Sequence, residues 1–165
     1  MGRRWSGSAV ARYGLGVAEP IVLGPDEGQT VSVRGSRIWF KATGADTAGA
    51  FSFVERVLPP RGRRPTPHRH TNCHEAFYVL EGTVQFEIER RTTLGTTGTF
   101  ILVPPGGLHT FSNRSELDAR LLILHSPAMD RYFVELHQLL LHGGDIEAEQ
   151  AVMERFGMEL DASQS

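Results

Sequence analysis

From Ile21 to Val103 the chain is cut into short β-type runs by glycine, proline, aspartate and asparagine, and this punctuation constrains its fold more than any other feature. The runs cover residues 30–33, 38–40, 51–58, 76–80, 83–89 and 100–103, with another at 119–126. Period-two patterning is cleanest in TVQFEIE. There Val84, Phe86 and Ile88 share one face, while Thr83, Gln85, Glu87 and Glu89 share the other. Such alternation sets one face on a core and the other in water. Gly82, flanked by Leu80-Glu81 and Thr83, predicts a hairpin turn with an unusual backbone angle. The 18 glycines and 9 prolines fit a chain of many turns. Short strands at regular spacing predict an all-β sandwich or barrel.

After Pro127 the period changes. Met129, Phe133, Leu136 and Leu140 recur at helical spacing, and Gly143-Gly144 would stop that helix. Asp145 can cap a second helix, with Glu147 and Glu149 favourable in its first turns and Gly157 near its end. At 165 residues the chain suits one domain. The expected organisation is an N-terminal arm over residues 1–18, a β-barrel over 19–127 and a helical extension over 128–165.

The formal charge of −2 gives no reason to expect nucleic acid or an anionic membrane as partner. Arg61, Arg63 and Arg64 lie between prolines and read as a solvated loop. No apolar run approaches the ~20 residues of a membrane span, and the N-terminal residues show no continuous apolar stretch like that of a signal peptide. Cys73 is the only cysteine, so no intramolecular disulfide is possible, and the cytoplasm is the expected compartment.

The chemistry-bearing segment is residues 62–82. His68 and His70 are two apart, so on an extended strand they project from one face. A turn through Thr71 and Asn72 leads to Glu75, which opens the next strand; antiparallel pairing of the two would bring the carboxylate beside the imidazoles. Two imidazoles and a carboxylate make a nitrogen–oxygen site suited to Fe(II), Mn(II), Ni(II), Co(II) or Zn(II). His109, after a Pro-Gly turn, is the candidate fourth ligand from a distant strand. His74 should point to the opposite face from Glu75. Cys73, His125, His137 and His142 read as structural residues.

Gly62, His68, His70, Glu75 and Gly82 match the first cupin signature, G-x5-H-x-H-x4-E-x6-G, at every fixed position. Gly98, Pro104, Gly106, His109 and Asn113 match the second, G-x5-P-x-G-x2-H-x3-N. On these motifs the chain resembles the cupins. The stretches KATGADTAGAFSFVE, SPAMDRYFVEL and ERFGMEL make it similar to the quercetin-dioxygenase-like single-domain cupins. The resemblance implies a double-stranded β-helix, a jelly-roll barrel, here followed by two C-terminal α-helices. It also implies one divalent metal ion per chain (Fe, Ni, Co, Mn or Zn) on His68, His70, Glu75 and His109. Four protein ligands leave one or two positions open for a water, dioxygen or a substrate oxygen.

Strand parity points to an aromatic pocket. Phe77 shares the face of Glu75, Phe111 shares that of His109, Phe51 and Phe53 share one face of an earlier strand, and Phe133 can project from the first helix over an opening. These five are the candidate substrate-binding residues for a planar or apolar small molecule. No arginine pair, lysine or second carboxylate is evident beside them, which argues against sugar-phosphate or dicarboxylate substrates. The quercetinase resemblance implies a metal-dependent dioxygenase acting on an aromatic, flavonol-like or polyketide-like enol, with Glu75 as metal-adjacent base. A redox-neutral isomerase or polyketide cyclase is the alternative, and a non-enzymatic binding cupin the third reading. Barrel edges need covering, and cupins commonly cover them by dimerising through N-terminal strands; the expected assembly is a homodimer using residues 18–33.

Overall fold

Strands that alternate apolar and polar side chains must pair inner face to inner face, and two sheets do so here. The computed structural model describes residues 19–24 and 26–161; the expected arm over residues 1–18, and Ala18 of the expected dimer region, lie outside the described residues. In chain order the elements are β1 (Thr30–Val33), β2 (Ser36–Ala42), β3 (Ser52–Leu58), β4 (His68–His70), β5 (His74–Glu81), β6 (Thr83–Ile88), β7 (Arg91–Thr96), β8 (Phe100–Val103), β9 (His109–Ser112), β10 (Ala119–Ser126), α1 (Asp130–Leu141), α2 (Ile146–Arg155) and β11 (Met158–Leu160). A six-stranded sheet runs β1-β2-β3-β10-β5-β8 and a five-stranded sheet runs β11-β4-β9-β6-β7, antiparallel throughout. This is the double-stranded β-helix, with two C-terminal helices.

The core lies between the sheets. Val54, Phe77, Val79, Val84, Phe86, Leu121 and Ile123 are all buried there, each removing apolar surface from water at roughly 25 cal/mol per Å2. In β10 the inward set is Ala119, Leu121, Ile123 and His125, a strict alternation. In β3 it is Ser52, Val54, Arg56 and Leu58. Val84 and Phe86 face inward from β6, as the pattern predicts.

Two local expectations are corrected. Gly82 does adopt a positive φ of 75°, but the segment is not a hairpin turn, because β5 and β6 belong to different sheets. It is a corner that carries the chain from one sheet to the other. Likewise β4 and β5 are not neighbours in one sheet; they face each other across the barrel interior. β7 and β11 escape the sequence pattern. RTTLGT is exposed except at Gly95, so it shows no apolar face, and Met158–Leu160 is only three residues long.

The helices form where the periodicity predicts. Tyr132, Phe133 and Leu136 of α1 are buried against the barrel, and the Asp145 side chain caps α2 by accepting from the Ala148 amide at 2.9 Å. β11 then pairs with β4, directly beside His68 and His70. No helix among the described residues is long and apolar enough to cross a membrane.

Candidate metal centre and its cavity

β4 presents His68 and His70 to the interior and Arg69 outward. His68 is in register with His109, the first residue of β9. The loop before His109 is tied to β4, since the Gly106 amide donates to the His70 carbonyl at 2.8 Å and Arg69 Nη1 donates to the Gly106 carbonyl at 2.9 Å. Gly106 takes a φ of 82°, which glycine adopts without a Cβ penalty. From the opposite sheet, Glu75 enters on β5. The donor atoms of His68, His70, Glu75 and His109 lie within 4.8 Å of one another, all four residues buried. Asn113 completes the frame: its Nδ2 donates to the Leu58 and Leu117 carbonyls, and its Oδ1 accepts from the Ser115 amide.

The set fits a cation on chemical grounds. His68 Nδ1 donates to the Thr66 carbonyl at 2.8 Å and His109 Nδ1 to the Gly107 carbonyl at 3.0 Å. A neutral imidazole so engaged carries a lone pair on Nε2. His109 Nε2 nevertheless sits 2.7 Å from Glu75 Oε2, and His70 Nε2 sits 2.9 Å from the same oxygen. A lone pair facing a carboxylate requires a positive particle between them, either a proton or a metal ion. Backbone-anchored imidazoles of this kind are the usual arrangement around protein metal ions.

The electrostatics carry the same message. Burial alone would raise the Glu75 carboxyl, but His125 and His109, by charge and by hydrogen bonds, hold it well below the ordinary carboxylate range. Burial, reinforced by the neighbouring His109, pushes His68 down to about 3, so it stays neutral with its lone pair free. His109 moves up despite its burial, because Glu75 favours its charged form. Both Glu75 oxygens are engaged by imidazoles and its charged form is favoured, as a ligand to a cation requires.

His125 was read from the sequence as structural, yet its Nε2 lies 3.1 Å from Glu75 Oε1. β10 and β5 are paired, and His125 is the direct cross-strand partner of Glu75. Strand parity could have found it, since His125 continues the inward series Ala119, Leu121, Ile123. His74 is exposed and outside the cluster. Cys73 is buried and free, with its thiol pushed up to about 12 first by burial and then by Glu75. His137 bonds the Ser32 carbonyl and His142 the Gln138 carbonyl, both remote from the ligands.

A small pocket of about 20 Å3, room for about one water molecule, opens on His68, His70 and Glu75. Of the five aromatic candidates, Phe111 and Phe133 line it. Phe77 is packed beneath, edge-on to Phe86 and Phe111, at ring separations of 5.2 Å. Phe53 lies on the outer face of β3, where the inward residues are the even-numbered ones, and Phe51, just before the strand, is 38% exposed. The wall is also more polar than expected. Arg34, Arg56, His125 and Tyr132 all contribute to it, which corrects the expectation that no arginine pair stands near the site. Position alone hid them: Arg34 sits in the β1–β2 turn and Arg56 between apolar residues of β3.

The family comparison matches residues 54–125 to the cupin domain. These residues form a cupin domain. The cupin barrel is similar to KdgF from Halomonas sp. at 22% identity and a TM-score of 0.59, covering 68% of this chain and 98% of that one. It is similar to a predicted oxalate decarboxylase from Thermotoga maritima at 21% identity and a TM-score of 0.57, covering 65% and 99%. A third similar structure is the polyketide cyclase RemF from Streptomyces resistomycificus, at 21% and 0.57, covering 66% and 80%. At these identities the likeness is one of fold. No curated protein matches at a significant level.

Proposed function

We propose that this cupin is a metal-dependent enzyme acting on a small enol or enolisable carbonyl compound. The carrying observation is the convergence of His68, His70, Glu75 and His109, the first three of which line a small pocket. An ion bound there supplies Lewis-acid polarisation of a substrate oxygen. Phe111 and Phe133 flank a planar substrate and exclude water from it, while His125 and Tyr132 in the wall are the groups able to hold or move a proton on its oxygens. Two fates follow for such an enolate. Reaction with dioxygen gives the dioxygenase on an aromatic, flavonol-like or polyketide-like enol; proton rearrangement gives an isomerase or cyclase. The charged wall favours the second, because Arg56 and Arg34 suit a polar, anionic intermediate better than a flavonol ring.

The test loads the purified protein with Fe(II), Ni(II), Co(II), Mn(II) or Zn(II) and offers flavonols, hydroxypyranones and 1,3-dicarbonyl compounds with and without air. Turnover that needs metal and persists anaerobically is the expected result. Turnover with stoichiometric oxygen uptake assigns the dioxygenase instead, and substrate conversion indifferent to metal or to His109→Ala overturns the proposal.

The same reading keeps a homodimer through the N-terminal region. Exposed Ile21, Val22 and Leu23 support it, as does the open edge of β1 in the six-stranded sheet. Light scattering should give twice the chain mass, and a monomer's mass would refute it.

A further inference from the structure

Arg56 lies in the cavity wall with a charge that the fold itself does not use. It is 2% exposed, and its cross-strand partners are Ile38 and Leu121. Nη2 donates to Ser36 Oγ at 3.2 Å and the guanidinium stands 5.2 Å from the Phe111 ring centre. Its Nε is buried with no hydrogen-bond partner, and Arg56 makes no ion pair among the described residues. An unpaired buried charge is costly, and apolar side chains fill the adjacent inward positions Val54 and Leu58.

Arg34 is held at a second cost. It occupies the two-residue turn Arg34-Gly35 at a φ of 52°, a region that non-glycine residues enter under strain. Its Nε is 2.7 Å from Glu149 Oε2 of α2, and Tyr132 lines the same pocket. Glu149, which also pairs with Arg63, balances part of its charge. Arg56 has no such balance, and a divalent ion would outweigh the single charge of Glu75. With such an ion bound, the cavity would be cationic. Burial first, and the like charge of Arg34 second, lower the Arg56 guanidinium to about 10, a repulsion that an anion placed between them would relieve.

We propose that Arg56, assisted by Arg34 and Tyr132, forms a carboxylate-binding subsite in the metal cavity. The substrate is then a small enol or enolisable carbonyl compound bearing a carboxylate apart from its metal-binding oxygens. Guanidinium groups take carboxylates in a planar, charge-assisted geometry. The inference rests on the metal-and-enol reading above and adds the charge of the substrate to it.

Kojic acid and comenic acid test it. Both chelate metal ions through the same adjacent ketone and enol oxygens, and they differ only in a remote hydroxymethyl or carboxylate group. Affinities are measured by calorimetry on Zn(II)-loaded wild type and Arg56→Met, with metal content and melting temperature as folding controls. Arg56→Met should weaken comenic acid by about 10-fold or more and kojic acid by less than about threefold, the difference expected for losing a charge-assisted bond. Its melting temperature should be unchanged or higher, whereas a purely structural arginine would lower it. Equal weakening of both ligands, or none for comenic acid, overturns the subsite. If neither ligand binds wild type, the enol reading fails, and propionate then decides the subsite alone. Thermal protection of wild type but not of Arg56→Met by propionate supports it, and equal protection or none overturns it.

Discussion

His125 and Glu75 form a cross-strand pair in which one residue holds the other ready to bind metal. The imidazole engages Oε1, and that leaves Oε2 facing His70 and His109. Partners that orient a ligand commonly contribute about 10–100-fold in metal affinity. His125→Ala should therefore weaken metal binding by that factor in chelator competition. His125→Gln, whose amide can still donate to Oε1, should recover most of it. Loss of affinity in both variants alike would show that His125 acts through packing. Residues of this kind are the hardest to find from sequence, because a histidine at a strand end carries no local mark of its partner. His68, His70, Glu75 and His109 were legible because their spacing is itself a pattern, while Arg34 and Arg56 had none.

At the scale of elements, the corner at Gly82 carries the chain from the sheet of Glu75 into the sheet of the histidines. A Cβ there would meet the Asp118 carbonyl oxygen at 2.8 Å, and the φ of 75° is left-handed. Gly82→Ala should cost about 1–3 kcal/mol in urea unfolding, from backbone strain and the clash together. A variant as stable as wild type would mean that the corner relaxes freely. Sequence placed a turn at this glycine correctly and assigned it the wrong kind, since a positive φ serves hairpins and corners alike. Only the destination of the next strand separates them. The β1–β2 loop is the converse case. Arg34-Gly35 is a two-residue hairpin turn of the usual dimensions, yet its arginine is turned into the cavity wall by Glu149, which lies far along the chain on α2.

For the whole molecule, the centre exists because two sheets face each other. His68, His70 and His109 come from one sheet and Glu75 and His125 from the other, so the ligands meet only when the barrel closes. The C-terminal helices complete the same space. α1 supplies Tyr132 and Phe133 to the wall, and α2 supplies the carboxylate that anchors Arg34. By itself the sequence determined the strand periodicity, the positions of both helices, the jelly-roll class and the four residues His68, His70, Glu75 and His109 that converge. Each of these depends on local periodicity or on spacing within one of the two motif segments. Tertiary structure alone decided which face of β3 looks inward, that His125 backs Glu75, and that two arginines charge the cavity. Those outcomes depend on register between distant strands and on the electrostatic balance of a closed interior, and no stretch of chain encodes either one locally.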